Sequence, residues 1–279
     1  MKIAVLGVGL IGGSIGLAAR ARVGACVCGY DPDPAACATA LERGAIDRSA
    51  PDVATAVADA EVVFAAAPLS ALARAVSEAL AGAGPDCVIS DVGSTKLALE
   101  DARCDRRFVG GHPLAGAETA GVESAREDLF AGAIWYLTPT PVCDPALYER
   151  LRRLIERLGA RAQAVDAGAH DHLMACISHL PHVLANALAA QAAGAFQREG
   201  SPPTAGPSLR DAIRVAGANS AIWTDIYLAN RDALVEAIDE LAGRLAQVRA
   251  DLQAGDAQAL RDWNERALTE RETLLRADS

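Results

Sequence analysis

The sequence predicts an α/β protein in two parts, a doubly wound parallel sheet followed by an all-helical region. Three observations carry that prediction. Residues Lys2 to Ser14, KIAVLGVGLIGGS, set a short apolar run before a G-x-G-x-x-G turn and a helix-compatible stretch after it. Apolar runs of strand length then alternate with helix-length segments to about residue 165, a pattern that specifies parallel strands joined by crossover helices. Beyond that point the strand-like runs stop, and apolar residues recur in steps of four and three, the spacing of a helix-packing seam. Residues 1–165 are therefore expected to form a Rossmann-type dinucleotide-binding domain. Residues 166–279 are expected to form an all-helical domain.

Ile3-Ala-Val-Leu6 has the length and residue types of a fully buried parallel strand. Gly7 permits the tight turn off it, Gly9 lets a pyrophosphate approach the backbone, and Gly12 lets the next helix lie close to the strand. That helix, Leu10 to Arg20, offers unpaired N–H groups and a positive dipole end to phosphates. Gly7, Gly9, Leu10, Ile11 and Gly12 are thus the candidate cofactor cradle. A glycine-rich turn alone marks only a turn; the flanking strand and helix make it a binding motif. A second run, Cys26 to Tyr30, ends in Asp31, nineteen residues past Gly12. An acid there meets the ribose hydroxyls of NAD and repels the 2′-phosphate of NADP. NAD is the expected cofactor.

The elements that follow alternate. Pro34 to Arg43 reads as a helix opened by proline and stopped by Gly44. Asp52–Ala60 reads as a short helix, Glu61–Ala65 as a strand, and Ser70–Ala81 as a helix with Leu72, Val76 and Leu80 in one stripe. Cys87–Asp91, Arg107–Gly110 and Ile134–Leu137 are further strands. The helix Pro145–Leu158 and a strand near Ala162–Val165 complete the domain. In the second part Leu173, Ile177, Leu180, Leu184 and Ala187 form one seam. Leu234, Ile238, Leu241, Leu245, Val248 and Leu252 form another that Gly255 breaks, and a last helix carries Leu260, Trp263 and Leu274. Arg198 to Pro207, REGSPPTAGP, is the clearest loop. Seams this long commonly pack on another subunit, so a homodimer is expected; a closed bundle within one chain fits the same spacing.

Composition narrows the partners. The 279 residues are 51% hydrophobic and 22% charged, with a net charge of −10 and no run of like charges. That argues against nucleic acid or an anionic membrane, so an acidic ligand must be held by local N–H groups and single arginines. Lys2 and Lys96 are the only lysines. The chain opens directly in a strand, so no signal peptide is expected, and no charge-free stretch of membrane-spanning length appears. Seven cysteines without paired CxxC spacing point to reduced thiols and a cytoplasmic setting. Cys26 and Cys28, on one face of a strand, fit buried small side chains better than a metal site.

Such sheets bind ligands beyond the carboxyl ends of their strands. Two segments emerge there: DVGSTK, Asp91 to Lys96, and GGHPLAGAETAG, Gly110 to Gly121. His112 alone would read as a satisfied surface or core histidine and Ser94 as a helix N-cap. Together at the ligand edge they become the candidate catalytic pair. The helical half opens with HDHLMACISHLPHVLANAL. Ser178 and His182 lie four apart on one helix face, His179 one turn before His182, and Pro181 is expected to kink the helix between them. These residues read as the wall of a polar pocket. His170 and His172 read better as solvating the helix surface, and no carboxylate pattern supports a zinc site, so no metal is expected. Arg214, just before Gly217 as a helix stop, is suited to clamp a carboxylate through two parallel N–H···O bonds.

The stretches GVGLIGGSIG, DVGSTK, GGHPLAGAETAG, HDHLMACISHLPHVLANAL and RDAIRVAGANSAIWTDIYLANRD together resemble the prephenate and arogenate dehydrogenase family. They cover nearly the whole chain, and the HPLAG and SHLPH segments in that order are far more specific than the fingerprint. The resemblance implies a cleft between a nucleotide domain and a helical dimerisation domain. It implies that His112 contacts the ring hydroxyl of the substrate, assisted by Ser94. It places His182 and Arg214 in the substrate pocket, with Arg214 gripping the ring carboxylate. The Pro202-Pro203 and Pro207 loop departs from the family, where glycine is commoner. Neither a mutase domain before Met1 nor a regulatory domain after Ser279 is expected.

The reaction the resemblance implies is NAD-dependent oxidative decarboxylation of prephenate to 4-hydroxyphenylpyruvate, in tyrosine biosynthesis, with arogenate as a further candidate substrate. Glu118, six residues past His112, is the candidate reader of the side chain, since an acid would attract the ammonium of arogenate. An arogenate-specific enzyme is one alternative. Another is a two-domain reductase of the beta-hydroxyacid dehydrogenase or pyrroline-carboxylate reductase type, although a catalytic lysine in the helical half is missing. A non-catalytic NAD-sensing module would leave Ser94, His112, His182 and Arg214 unexplained.

Overall fold

The computed structural model describes residues 1–116 and 119–276. By its contacts the chain divides into Met1–Arg231 and Asp232–Ser279. The first unit is built on eight strands: β1 (Lys2–Leu6), β2 (Cys26–Tyr30), β3 (Arg48–Ser49), β4 (Val62–Ala65), β5 (Val88–Asp91), β6 (Phe108–Pro113), β7 (Ile134–Thr138) and β8 (Arg161–Ala164). Their order in the sheet is β3-β2-β1-β4-β5-β6-β7-β8. Helices α1 (Leu10–Ala18), α2 (Pro34–Glu42), α3 (Val53–Val57), α4 (Leu69–Gly82) and α5 (Pro145–Arg157) connect them.

The strands are apolar on both sides because both faces of the sheet are covered. Ile3, Val5, Val62, Phe64 and Val88 point to one core, shared with α1, α2 and α5. Their neighbours Ala4, Leu6, Val63, Ala65 and Ile89 point to the other, shared with α3 and α4. The stripe on α4 is Leu72, Val76 and Ala79, all fully buried. Asp33, Asp52 and Asp144 accept backbone N–H groups and so cap α2, α3 and α5.

The expected all-parallel sheet is corrected at one place: β6 and β7 pair antiparallel, while β7 and β8 are parallel to each other. Hydrophobic runs carry no information on strand direction, but the connection does. A parallel return needs a crossover element. Among the described residues, the segment between β6 and β7 holds only the 3-10 turn Val122–Ser124. The two-residue strand β3 is too short to leave a pattern in the sequence.

After β8 the first unit is helical: α6 (Ala167–Met174), α7 (Leu180–Glu199), α8 (Pro207–Ala212) and α9 (Ser220–Ala229). A π-helical turn, Ala175–His179, joins α6 to α7. Pro181 follows this π turn, in which Leu180 N donates to the Ala175 oxygen, and the helix runs on through it, so the kink expected at Pro181 is met by a local widening of the helix. The run Ala167–Glu199 is long and apolar enough, by length and composition, to cross a membrane, with mean hydropathy 1.4. It also carries the buried His170 and Asp171, and leaves Leu173, Ile177 and Leu188 exposed. The second unit comprises α10 (Arg231–Ala254) from its second residue and α11 (Ala257–Arg276), turned at Gly255. Leu245, Leu252, Leu268 and Leu274 are exposed along them.

One ion pair anchors the sheet's ligand edge. Lys96 Nζ donates to Asp91 Oδ2, with both side chains about fully buried at 1% and 0% exposure. Gly93 N and Gly111 N also donate to that carboxylate, at 2.8 and 2.9 Å. Burial lowers the Lys96 pKa, and the Asp91 charge opposes that shift. Removing one partner of such a pair leaves an uncompensated buried charge. Lys96→Met should therefore cost about 3–5 kcal/mol in urea unfolding. A loss typical of an exposed pair, below about 1 kcal/mol, would contradict the buried pairing.

Candidate active site

The glycine turn is shaped as its spacing requires. Gly7 follows β1 with φ +96°, and a Cβ there would lie 2.6 Å from the Ala66 carbonyl oxygen. A Cβ on Gly12 would lie 1.9 Å from the Gly7 oxygen and 2.8 Å from Val5 Cγ1, so α1 approaches β1 as closely as glycine allows. Gly9 differs. It is the N-cap residue of α1 with φ −73°, and a Cβ there would meet nothing within 4 Å. The protein's own packing does not need a glycine at that point; an incoming phosphate does. Leu10 and Ile11 form the first turn of α1, partly exposed beside it. At the end of β2, Asp31 accepts from Val8 N and Asp33 N, both at 3.0 Å. Its carboxylate is thereby fixed against the same turn.

Around the carboxyl ends of β5 and β6 a second cluster forms. His112 is half-buried near the end of β6, opposite Tyr136 of β7. Ser94 is half-buried in the loop after β5 and caps no helix; the 3-10 turn that follows, Leu97–Leu99, starts after Lys96. His112 Nδ1 lies 2.9 Å from His170 Nε2. His170 Nδ1 lies 2.7 Å from Asp171 Oδ1. Asp171 further accepts from Lys96 N at 2.8 Å and Leu97 N at 2.9 Å. The expectation that His170 solvates the helix surface is thus overturned: it is fully buried, with its ring also edge-on to Tyr136. The adjacency His170-Asp171 is the signal that could have revealed it, since a buried imidazole needs a partner for each nitrogen. His172 is exposed, as expected, with Nδ1 bonded to the Gly168 oxygen at 2.9 Å.

Desolvation, reinforced by the nearby charge of Lys96, drives the His112 pKa well below the ordinary imidazole value. His112 is therefore neutral at pH 7. Burial pushes His179 down to about 4 and lowers His182 as well. His179 accepts from Asn230 Nδ2 at 3.1 Å, and the same amide donates to the Asp171 carbonyl at 2.7 Å.

His182, buried on α7, stacks on Trp223 of α9 with ring centres 3.6 Å apart and planes within 2°. Its Nδ1 bonds the Tyr227 hydroxyl and lies 3.4 Å from Asn186 Nδ2. Its Nε2 is buried without a partner. An orphaned polar atom of this kind is costly unless a ligand satisfies it. Ser178 lies in the π turn, half-buried, four residues before His182 of α7. Arg214 is exposed in the turns between α8 and α9; α8 ends at Ala212, before Gly217. Glu118 lies outside the described residues. Sequence reasoning missed His170, Asp171, Trp223, Tyr227 and Asn230 as partners. It also left Lys96 unused, although a lysine retained in a chain with 24 arginines was itself a signal. Cys26 is exposed rather than buried, and among the described residues no group of three His, Cys, Asp or Glu is arranged to hold a metal.

Comparison with known proteins follows the same two parts. Residues 15–164 match the family model for the prephenate dehydrogenase nucleotide-binding domain, and residues 166–265 match that for the prephenate dehydrogenase dimerization domain. The chain is 33% identical over 270 residues to a prephenate dehydrogenase of Bacillus subtilis, covering 92% of this chain and 72% of that protein. Among solved structures it resembles the Synechocystis arogenate dehydrogenase, with TM-score 0.87 and 29% identity over 98% of this chain and 100% of that one. It also resembles the prephenate dehydrogenase of A. aeolicus in complex with hydroxyphenyl propionate and NAD+, with TM-score 0.88 and 26% identity over 98% of each chain.

The glycine turn separates two roles that substitution can distinguish. Gly9→Ala should leave the thermal midpoint within error, its φ being open to alanine, yet weaken NAD binding sharply. Gly12→Ala should lower both, because α1 must move off β1. Wild-type NAD affinity in Gly9→Ala, measured by calorimetry, would show that the turn is not the phosphate cradle.

Proposed function

The chain belongs to the prephenate dehydrogenase family, and on that premise we propose that it is an NAD-dependent dehydrogenase oxidatively decarboxylating prephenate, with arogenate as a second substrate. The observation that carries the proposal is His112: neutral, half-buried, and at the carboxyl edge of the sheet whose first strand ends in the glycine turn. Gly7, Gly9, Leu10, Ile11 and Gly12 cradle the pyrophosphate, and Asp31 takes the ribose hydroxyls. NAD bound there supplies the hydride acceptor. The chain's own part is to hold the substrate and take a proton. Neutral His112 accepts the proton of the ring hydroxyl, with Ser94 as its partner on that oxygen. Arg214 holds the ring carboxylate. His182, with Ser178 and His179 in the same wall, offers its orphaned Nε2 to the substrate. As the carbinol carbon becomes a carbonyl, carbon dioxide leaves and the ring becomes aromatic. Aromatisation supplies the driving force, so positioning is the main task left to the protein.

The domain boundary is placed at 165/166, in keeping with the two family matches. A homodimer is supported by the dimerization-domain match and by the exposed apolar residues on the helical segments. Seven free cysteines support a reducing, cytoplasmic setting. Glu118 is assigned the side-chain preference on its charge and its place in the sequence.

The first test is NADH formation from prephenate and from arogenate; activity with neither would end the proposal. His112→Asn should lower kcat by about 10²–10⁴-fold with NAD affinity preserved. Because its pKa is depressed, the neutral base is lost only on acidification, and the acid limb of the wild-type rate should lie below pH 6.5. A limb at or above that value would contradict a desolvated neutral base. Arg214→Ala should weaken substrate binding by about 2–5 kcal/mol and leave NAD binding intact. Equal losses for both ligands would assign Arg214 to the fold. Asp31→Ser should narrow the preference for NAD over NADP; comparable wild-type efficiency with both cofactors would remove that role.

A further inference from the structure

We propose that His170 is a positioning residue that sets the tautomer of His112, with Asp171 setting His170 in turn. Its catalytic consequence rests on the dehydrogenase reading above; its geometry does not. A carboxylate that collects the N–H groups of Lys96 and Leu97 is an acceptor, so His170 Nδ1, 2.7 Å from Asp171 Oδ1, carries its proton toward it. In singly protonated His170 the other nitrogen, Nε2, then holds a lone pair. The 2.9 Å contact between that Nε2 and His112 Nδ1 has one arrangement left, with His112 Nδ1–H donating. In neutral His112 the remaining nitrogen, Nε2, is therefore unprotonated. That is the atom a general base needs free.

The opposite arrangement disables the site. If His170 carried two protons it would donate to His112 Nδ1, and a neutral His112 would hold its proton on Nε2. Removing the acceptor altogether has a similar effect, because nothing then holds the proton on Nδ1. The orientation is also steric. Tyr136 meets the His170 ring edge-on at 5.6 Å, and His112 meets it edge-on at 5.1 Å. The same Asp171 carboxylate grips the loop residues that follow Ser94, so one group sets both the proton on His112 and the position of the loop carrying its partner.

The decisive measurement is the 15N imidazole spectrum of histidine-labelled enzyme near pH 7.5, with the His112 signal identified by its loss in His112→Asn. The wild type should show neutral His112 protonated on Nδ1. His170→Leu, which lacks an acceptor, should move that proton to Nε2 and lower kcat by about 10²-fold, the lower end of what a positioned base contributes. KM and NAD affinity should stay within about threefold. His170→Gln restores an acceptor and should recover both the Nδ1–H signal and most of the rate. An Nε2–H tautomer in the wild type overturns the proposal, as does an unchanged tautomer in His170→Leu. Equal losses in the Leu and Gln variants would reduce His170 to a packing residue and overturn it too. If His170→Leu does not fold, the wild-type spectrum and His170→Gln decide. An Nδ1–H signal in an enzyme inactive on both substrates would leave the positioning intact and remove the function proposed above.

Discussion

The loop after β5 and the first helical segment are tied together at the ligand edge by one buried carboxylate. Asp171 is 1% exposed, and an ionised group there is tolerable only where donors replace its water. Lys96 N, Leu97 N and the His170 ring supply them, and the residue's own carbonyl accepts from Asn230. The loop after β5, the end of β6 through His170, the start of the helical segment and the residue capping α9 all meet at this one position. A tie of this kind is costly to break by halves, since losing one donor strands charge in a low-dielectric interior.

The second buried carboxylate, Asp91, organises the neighbouring edge by the same rule. It gathers Lys96 Nζ and two glycine N–H groups, while the backbone of that same lysine serves Asp171. Lys96 therefore contributes to both carboxylates at once, through its side chain and through its main chain. Arginine would not substitute freely, because a planar fork is larger than an ammonium and presents its donors differently.

The cofactor half was legible because its constraints are local. Gly7, Gly9 and Gly12 are fixed by distances within one strand–turn–helix unit, and Asp31 by the next strand, so spacing along the chain reports spacing in space. The alternation of runs gave the sheet and its two covered faces for the same reason. The β6–β7 reversal, by contrast, is recorded only in what the connection lacks. His170 was misread because a histidine on an amphipathic helix looks alike whether its partner is water or an imidazole 58 residues away. The stack of His182 on Trp223 and its bond to Tyr227 likewise join helices that no short window spans. His112 and Ser94 were found because strand ends are visible in sequence; what holds them was not.

The reversal between β6 and β7 has a consequence for how such a protein can change over time. In a parallel pair the connecting chain must travel the length of the sheet before the next strand begins. Here β7 starts where β6 stops, with Leu114 N bonded to the Ile134 oxygen at 2.8 Å. The excursion between them thus leaves and rejoins the sheet at the same end. On its way it is pinned beside the cofactor turn, through Arg126 N to Ser14 Oγ at 3.0 Å and Arg43 to the Ala125 oxygen at 2.9 Å. Residues gained or lost ahead of Val122, which is itself packed into the first core, change the length of this excursion and leave strand order and register alone. Lineages can therefore vary the length of this excursion without renegotiating the fold, as an inlet's shoreline shifts while its headlands stay fixed.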